Sequence, residues 1–481
     1  MVFSSLLFLY AFLPLSLIAY HFCRSLRAKN ISLLLFSLLF YAWGEPKYVF
    51  LLMFMALADW FCALRIEGAE GKTQKKIWLL LATVVDLGLI GFFKYSGLIC
   101  SVFGPVPEWV SRIALPIGIS FYTFQLLTYV VDVYRGEAPA QKRYWEVLLY
   151  AALFHQCIAG PIVRYKSIAD ELFVARSGAD ESHEGVLRFS VGLAKKALLA
   201  NPCGALADTL LLPSAAASDP ALLAENLANL RNLTVLGAWL GAAAFMLQIY
   251  LDFSAYSDMA IGMGKMLGLH YPENFNYPYT ARSVTEFWRR WHMSLSGFFR
   301  DYVYIPLGGN RCGPARRIFN LFVVWALTGL WHGASWNFVL WGLYYFVFLV
   351  LEKSFLQKPL EKLPVLSNLY LLLVVFWGWI LFHFTDVRLG WTVFAGLFGA
   401  NGNAASDFVT KTLLENKLFL LSASVLACTP IARKLGERLE RRFPGERFAL
   451  FRYCVIPVLL LLLSTCALVG ESYNPFLYFQ F

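Results

Sequence analysis

Charge is the scarcest commodity in this chain: Asp, Glu, Lys and Arg together make up 15% of its 481 residues, against about a quarter in soluble domains. With 59% hydrophobic and 17% aromatic residues and a mean hydropathy of +0.58, that deficit excludes an ordinary soluble fold. Pro/Ser-rich linkers and long polar inserts are also missing, so one integral-membrane domain over residues 1–481 is expected. The nine cysteines show no CxxC spacing and mostly lie in apolar runs, which predicts packed free thiols and argues against a metal site or a disulfide framework. There is no GxSxG, HExxH or GxxxxGK segment, so hydrolase, metalloprotease and NTPase readings lose their usual supports. Internal repetition of the kind found in two-halved transporters is absent as well. The net charge of +10 comes from short basic clusters between apolar runs, without the continuous basic face that nucleic acid requires.

What is present is a series of apolar runs of spanning length, which predicts an all-α, polytopic integral membrane protein. Residues 2–22 lack a basic leader and a small-residue cleavage site, so a retained first span is expected rather than a signal peptide. Further runs cover 31–43, 48–64, 77–93, 113–134 and 147–163, then 233–251, 318–331, 334–351, 369–384 and 453–469, with weaker ones at 186–212 and 418–428. Basic clusters follow the odd-numbered early spans at Arg24–Lys29, Lys72–Lys76 and Arg135–Arg143. The positive-inside rule makes those loops cytoplasmic and the N-terminus external, and the basic stretch Arg433–Arg452 leaves the C-terminal YFQF external too. Both ends outside requires an even number of crossings, and about ten to twelve fit the length. Interfacial or re-entrant helices would complete the set.

The chemistry is expected between residues 286 and 337, where His292 and His332 sit beside tryptophans. A helix over 286–302 would place Trp288, His292, Leu295 and Phe299 on one stripe and Arg289, Ser296 and Arg300 on another. Such a helix would lie at the cytoplasmic interface or half buried, its arginines toward headgroups or an anionic ligand. His292 would belong to the aromatic face, where a core histidine and a functional one both fit. The run Ile318–Trp331 has no ionisable side chain and follows Arg316 and Arg317. As a helix it carries the chain roughly 21 Å, which puts His332 deep in a hydrocarbon layer of about 30 Å. Gly329 and Gly333 would allow a kink or turn there. A polar side chain at that depth faces protein or water and marks function. A buried histidine, neutral at pH 7, can take a proton from a hydroxyl, which suits acyl transfer.

A rival from another class is a transporter or flippase for a polysaccharide or lipid-linked sugar. It would use the histidines with the intramembrane acids as a proton relay and Arg289, Arg290 and Arg300 on a phosphate. Of Asp59, Asp86, Asp132, Asp252 and Asp258, most are expected to cap helices or pair with bases. Asp252 and Asp258 stand out as relay candidates, with Ser254 and Tyr256 extending a polar cavity wall.

The segments QIYLDFSAYSDMAIGMGKMLG, NFNYPY, FWRRWHMSLSGFFRDYVYIPLGGNR and GLWHGASWNFVLWG resemble the membrane-bound O-acyltransferase family, in particular its bacterial alginate O-acetyltransferase type. FLP, SLLFYAWGEPKY, FFKY, PIGISFYTFQLLTYVVDVYRG, AGPIVRY and PFLYFQF extend the likeness, in order, over nearly the whole chain. The resemblance implies tilted helices around a central funnel in the bacterial inner membrane. It makes His332 the catalytic base and His292 the second active-site position, with Trp288, Arg289, Arg290, Trp331 and Asn337 as candidate donor-binding residues. It implies no permanently bound cofactor. An acyl thioester, acetyl-CoA or a loaded carrier protein, would enter from the cytoplasm, and the acceptor would be an extracytoplasmic polysaccharide hydroxyl or an SGNH-type periplasmic partner. One departure is visible at Leu153, Phe154 and His155, where such sequences commonly carry two aromatics and a proline.

Overall fold

In the computed structural model, residues 1–157, 160–176, 181–212 and 220–470 are described. The expected external position of YFQF, and Ala159 of the AGPIVRY segment, lie outside them. Every regular element among the described residues is a helix, with no strand. The all-α expectation therefore holds. All nine cysteines are free thiols.

The chain divides into two compact units, the first comprising Met1–Gly192, Tyr256–Glu273 and Arg452–Leu459. In it, α1 (Phe8–Phe22), α2 (Leu26–Gly44), α3 (Val49–Gly68), α4 (Lys72–Phe103) and α5 (Ile119–Arg135) carry the apolar runs expected there. The Ser25 hydroxyl accepts from the Ala28 amide at 3.2 Å and so caps α2. Gly118 and Gly136 bracket α5 at φ +77° and +72°, a left-handed geometry that glycine takes without strain. The run 147–163 was expected to be one helix, but α6 (Tyr144–Ala152) ends inside it. Leu153 turns extended, the Phe154 amide donates to the Ser37 hydroxyl at 3.1 Å, and the Tyr271 hydroxyl lies 2.5 Å from His155 Nδ1. Pro161, which has no N–H and restrains the residue before it, then blocks helix renewal.

The second unit comprises Leu193–Ala255, Asn274–Phe451 and Leu460–Phe481. The helix α7 (Val235–Met266) enters it, followed by α8 (Val284–Arg290), α9 (Met293–Phe299) and α10 (Pro314–His332). Next come α11 (Trp336–Lys362), α12 (Pro364–His383), α13 (Phe408–Ala427), α14 (Ile431–Arg442) and α15 (Glu446–Gly470), of which α15 is shared with the first unit. Among the described residues six helices, α3, α4, α7, α11, α12 and α15, are long and apolar enough to cross a membrane, and α13 with α14, bent by 66°, would be a seventh. Three of the remaining apolar runs of the expected ten to twelve show why they fall short. The helix α5 has 17 residues, α2 carries Arg27 and Lys29 in its first turn, and α10 opens with Arg316 and Arg317.

The clear span expected over 233–251 continues as α7 to Met266. Its apolar stretch is 72% buried against 17% in α4, so it is surrounded by protein. Gly262 does not break it: a Cβ there would lie 2.7 Å from the Gly185 carbonyl, and the missing side chain lets two backbones meet.

Candidate active site

The site is built from the first residue of α8. The Ser283 hydroxyl accepts from the Glu286 amide at 3.0 Å, while the buried Glu352 carboxylate accepts from the Val284 amide at 2.5 Å, the Thr285 amide at 2.9 Å and the Thr285 hydroxyl at 2.7 Å. A carboxylate at these amides completes the unsatisfied N–H groups of a helix start and complements its dipole.

The helix expected over 286–302 is interrupted. It ends at Arg290, Trp291 is extended, and His292 is left-handed at φ +43°, ψ +55° before α9 begins. The packing of Trp291 explains the break. Its indole is fully buried against Phe275, Phe287 and Trp379 at centroid distances of 5.2, 5.5 and 4.9 Å, a position a continuous helix would not reach. The two faces nevertheless sort as the periodicity requires: Trp288, His292, Leu295 and Phe299 are buried, and Arg289 and Arg300 exposed.

His332 is the last residue of α10 and is 4% exposed. Gly329, expected to permit a kink, lies within an unbroken helix and serves a different end. A Cβ there would sit 2.4 Å from the Phe338 carbonyl, and one on Gly342 2.3 Å from the Trp325 carbonyl. The helices α10 and α11 thus touch backbone to backbone, the contact small residues allow in membranes. The turn falls one residue beyond His332, at extended Gly333.

That crossing and the α8–α9 break bring the two histidines to one indole. The Trp331 ring lies 4.9 Å from His332 and 5.7 Å from His292. His332 also contacts Trp341 at 4.9 Å and Phe382 at 5.3 Å, and His292 contacts Phe253 at 4.8 Å. His292 belongs to none of the six spanning helices, and burial pushes its imidazole down to about 3, so it is neutral at pH 7.

The other anticipated residues divide. Trp288 packs on Trp325, Trp341 and Tyr345 at 4.8, 5.5 and 4.9 Å. The indole N–H groups of Trp288 and Trp341 are buried and have no hydrogen-bond partner among the described residues. Arg290 donates to Glu286 at 2.5 Å and Thr280 at 3.0 Å, Arg300 pairs with Asp301 at 2.6 Å, and Arg289 is exposed. The side-chain amide of Asn337 donates to the Phe382 and Leu381 carbonyls at 3.1 and 3.4 Å, tying α11 to the end of α12. Asp252 and Asp258, singled out as relay candidates, are ion-paired instead. Asp252 meets Lys196 at 2.8 Å with both side chains 2% exposed, Asp258 meets Arg188 at 2.8 Å, and Ser254 accepts from Lys195 at 3.0 Å.

Sequence reasoning missed Asn274 and Glu352. Asn274 lies in the NFNYPY segment, and its side-chain oxygen is 3.1 Å from His292 Nδ1. Glu352 was legible as a lone acid ending an apolar run. Among the described residues no group of three or more His, Cys, Asp or Glu side chains could hold a metal ion.

The family model described as MBOAT, membrane-bound O-acyltransferase family, matches residues 52–390. The chain is 36% identical to "Probable alginate O-acetylase AlgI" of Azotobacter vinelandii over the full length of both proteins. To the protein of that name from Pseudomonas aeruginosa it is 37% identical, covering 92% of this chain and 84% of the relative. A "Peptidoglycan O-acetyltransferase" of Helicobacter pylori is 30% identical over 85% of this chain and 84% of its own length. The chain, with its apolar helices and its two histidines on one buried indole, belongs to the membrane-bound O-acyltransferase family and is an O-acyltransferase.

Proposed function

We propose that the chain, acting as one integral-membrane domain over residues 1–481, moves an acetyl group from cytoplasmic acetyl-CoA to a hydroxyl outside the bacterial inner membrane. The final acceptor is a polysaccharide such as alginate, reached directly or through an SGNH-type periplasmic partner. Both termini face the outside. The convergence of His332 and His292 on Trp331 carries this reading, and the names of these relatives support the substrate class.

In the reaction His332 takes the proton of the acceptor hydroxyl as its oxygen attacks the thioester carbonyl. The carbon–sulfur bond then breaks, and the imidazolium returns the proton to the departing thiolate. The negative charge that forms on the carbonyl oxygen needs hydrogen-bond donors in a site shielded from water. The buried indole N–H groups of Trp288 and Trp341 are suited to it, each such donor being worth about 3 kcal/mol. Asn337 ties α11, the helix that crosses the His332 helix, to the end of α12, while Arg289 is left to meet the phosphates of the donor.

The test is His332→Ala in protein shown to insert and fold. O-acetylation should fall by about 10²–10⁴-fold, the usual contribution of a general base; wild-type product levels would remove His332 from that role. Purified protein that ignores acetyl-CoA but accepts acyl groups from a carrier protein would shift the donor assignment toward D-alanyl transfer.

A further inference from the structure

We infer that Asn274 is a positioning residue which fixes His292 as the Nδ1–H tautomer, so that His292 offers the reacting groups a lone pair on Nε2 and accepts a hydrogen bond there instead of donating one. This rests on His292 being part of the acyl-transfer site.

The argument begins with Asn274 Oδ1, which lies 3.2 Å from the Ser294 backbone nitrogen and 2.8 Å from its hydroxyl. A backbone N–H can only donate, so the atom facing it must be the amide oxygen; exchanging oxygen and nitrogen would set two N–H groups against each other. The same oxygen is 3.1 Å from His292 Nδ1. An amide oxygen cannot donate, and a hydrogen bond therefore requires the proton on Nδ1. In a neutral imidazole the other nitrogen then carries the lone pair.

The backbone supports the same assignment. His292 is one of three non-glycine residues with positive φ among those described, a conformation costly for an L-residue and held only where neighbours enforce it. The Asn274 carbonyl accepts from the Met293 amide at 2.9 Å, and the Arg290 carbonyl from the Asn276 amide at 2.9 Å. The NFN segment thus clamps the main chain on both sides of His292 while its first side chain reads the ring. Phe253, Phe275, Trp331, Asn274 and Ser294 surround that ring and are uncharged.

The consequence is a division of labour. A neutral His292 that donates through Nδ1 to Asn274 has no N–H left for an oxyanion, which must be met by other donors such as the two indoles. Its Nε2 takes instead an O–H or N–H presented by the substrates.

Two measurements test this. Solid-state ¹⁵N NMR of histidine-labelled protein in bilayers, with His292→Gln subtracted to assign the signal, should show a protonated Nδ1 and a bare Nε2; a protonated Nε2 overturns the inference whatever the enzyme's activity. Asn274→Leu should lower kcat at least tenfold in folded protein. Asn274→Asp keeps the accepting oxygen and should restore most of that loss, but the new carboxylate favours the imidazolium and moves the acidic limb of the pH–rate profile to higher pH. Unchanged turnover in Asn274→Leu, or a wild-type profile in Asn274→Asp, refutes the positioning role. Failure of the acyl-transfer reading itself would show separately, as wild-type protein that turns over no acyl thioester while the tautomer is intact.

Discussion

Adding a single methyl group one turn before His332 should disable the enzyme without touching a reacting group. In Gly329→Ala the new Cβ would stand 2.4 Å from the Phe338 carbonyl oxygen, whereas ordinary contact begins at 3.4 Å. The atom in the way is backbone, so no side-chain rotation relieves the clash, and α10 and α11 must separate by about 1 Å. Overpacking of this kind costs about 1–3 kcal/mol of stability, which a large membrane protein can survive. Catalysis is less forgiving, because a displacement of about 1 Å at a reacting group lowers the rate by about 10²-fold. The assay is turnover per folded molecule in nanodiscs, with radiolabelled acetyl-CoA as the proposed donor. Gly436→Ala, which meets nothing within 4 Å, serves as the control. Gly342→Ala forces the same separation from the other helix and should reproduce the loss. The double variant should lose less than the two effects added, because one movement relieves both clashes. Turnover within twofold of wild type in folded Gly329→Ala would mean that the close crossing does not set the position of His332.

Asn337→Leu strands the Leu381 and Phe382 carbonyls and should cost about 1–3 kcal/mol, read as a lowered unfolding temperature in detergent with the protein still inserted. Glu352→Ala leaves the Val284 and Thr285 donors without their acceptor and should destabilise by several kcal/mol; Glu352→Gln, which keeps one accepting oxygen, should recover part of this in the same melt. His270 supplies a pH test in the first unit. Burial alone would lower its pKa, but contacts to Glu171 at 2.8 Å and Glu181 at 3.1 Å outweigh burial and raise it. The folded state then binds the proton more tightly than the unfolded chain, so this stabilisation is complete below about pH 6.5 and disappears as pH rises through the folded value. The group is partly exposed, and the effect is correspondingly small. His270→Gln should flatten stability between pH 6 and 8, and an unchanged slope would exclude the contribution.

Composition made the all-helical membrane fold legible because a hydrocarbon layer admits little else, and the run Ile318–Trp331 pointed to His332 because a polar group so far from charge needs a reason. The sequence was less informative wherever the outcome depends on a neighbour distant in the chain. Periodicity assigned Trp288, His292 and the arginines to the correct faces, yet it could not show the break at Trp291, which is set by aromatic contacts from Phe275 and Trp379. Gly329 read as flexibility and turned out to be a close approach, a difference decided by Phe338 on the next helix. The acids illustrate the point most sharply, because on them rests the choice between enzyme and transporter. A relay needs groups that exchange protons at modest cost. Asp252, however, is locked to Lys196 with both side chains almost fully buried, and stripping either partner of its charge would leave the other uncompensated, a change costing about 3–5 kcal/mol. Asp258 is likewise held by Arg188, which also binds Glu273 at 2.5 Å. Removing the Asp252 charge by Asp252→Asn, which leaves Lys196 uncompensated, should therefore lower folding yield far more than it lowers turnover per folded molecule. A relay residue would give the reverse.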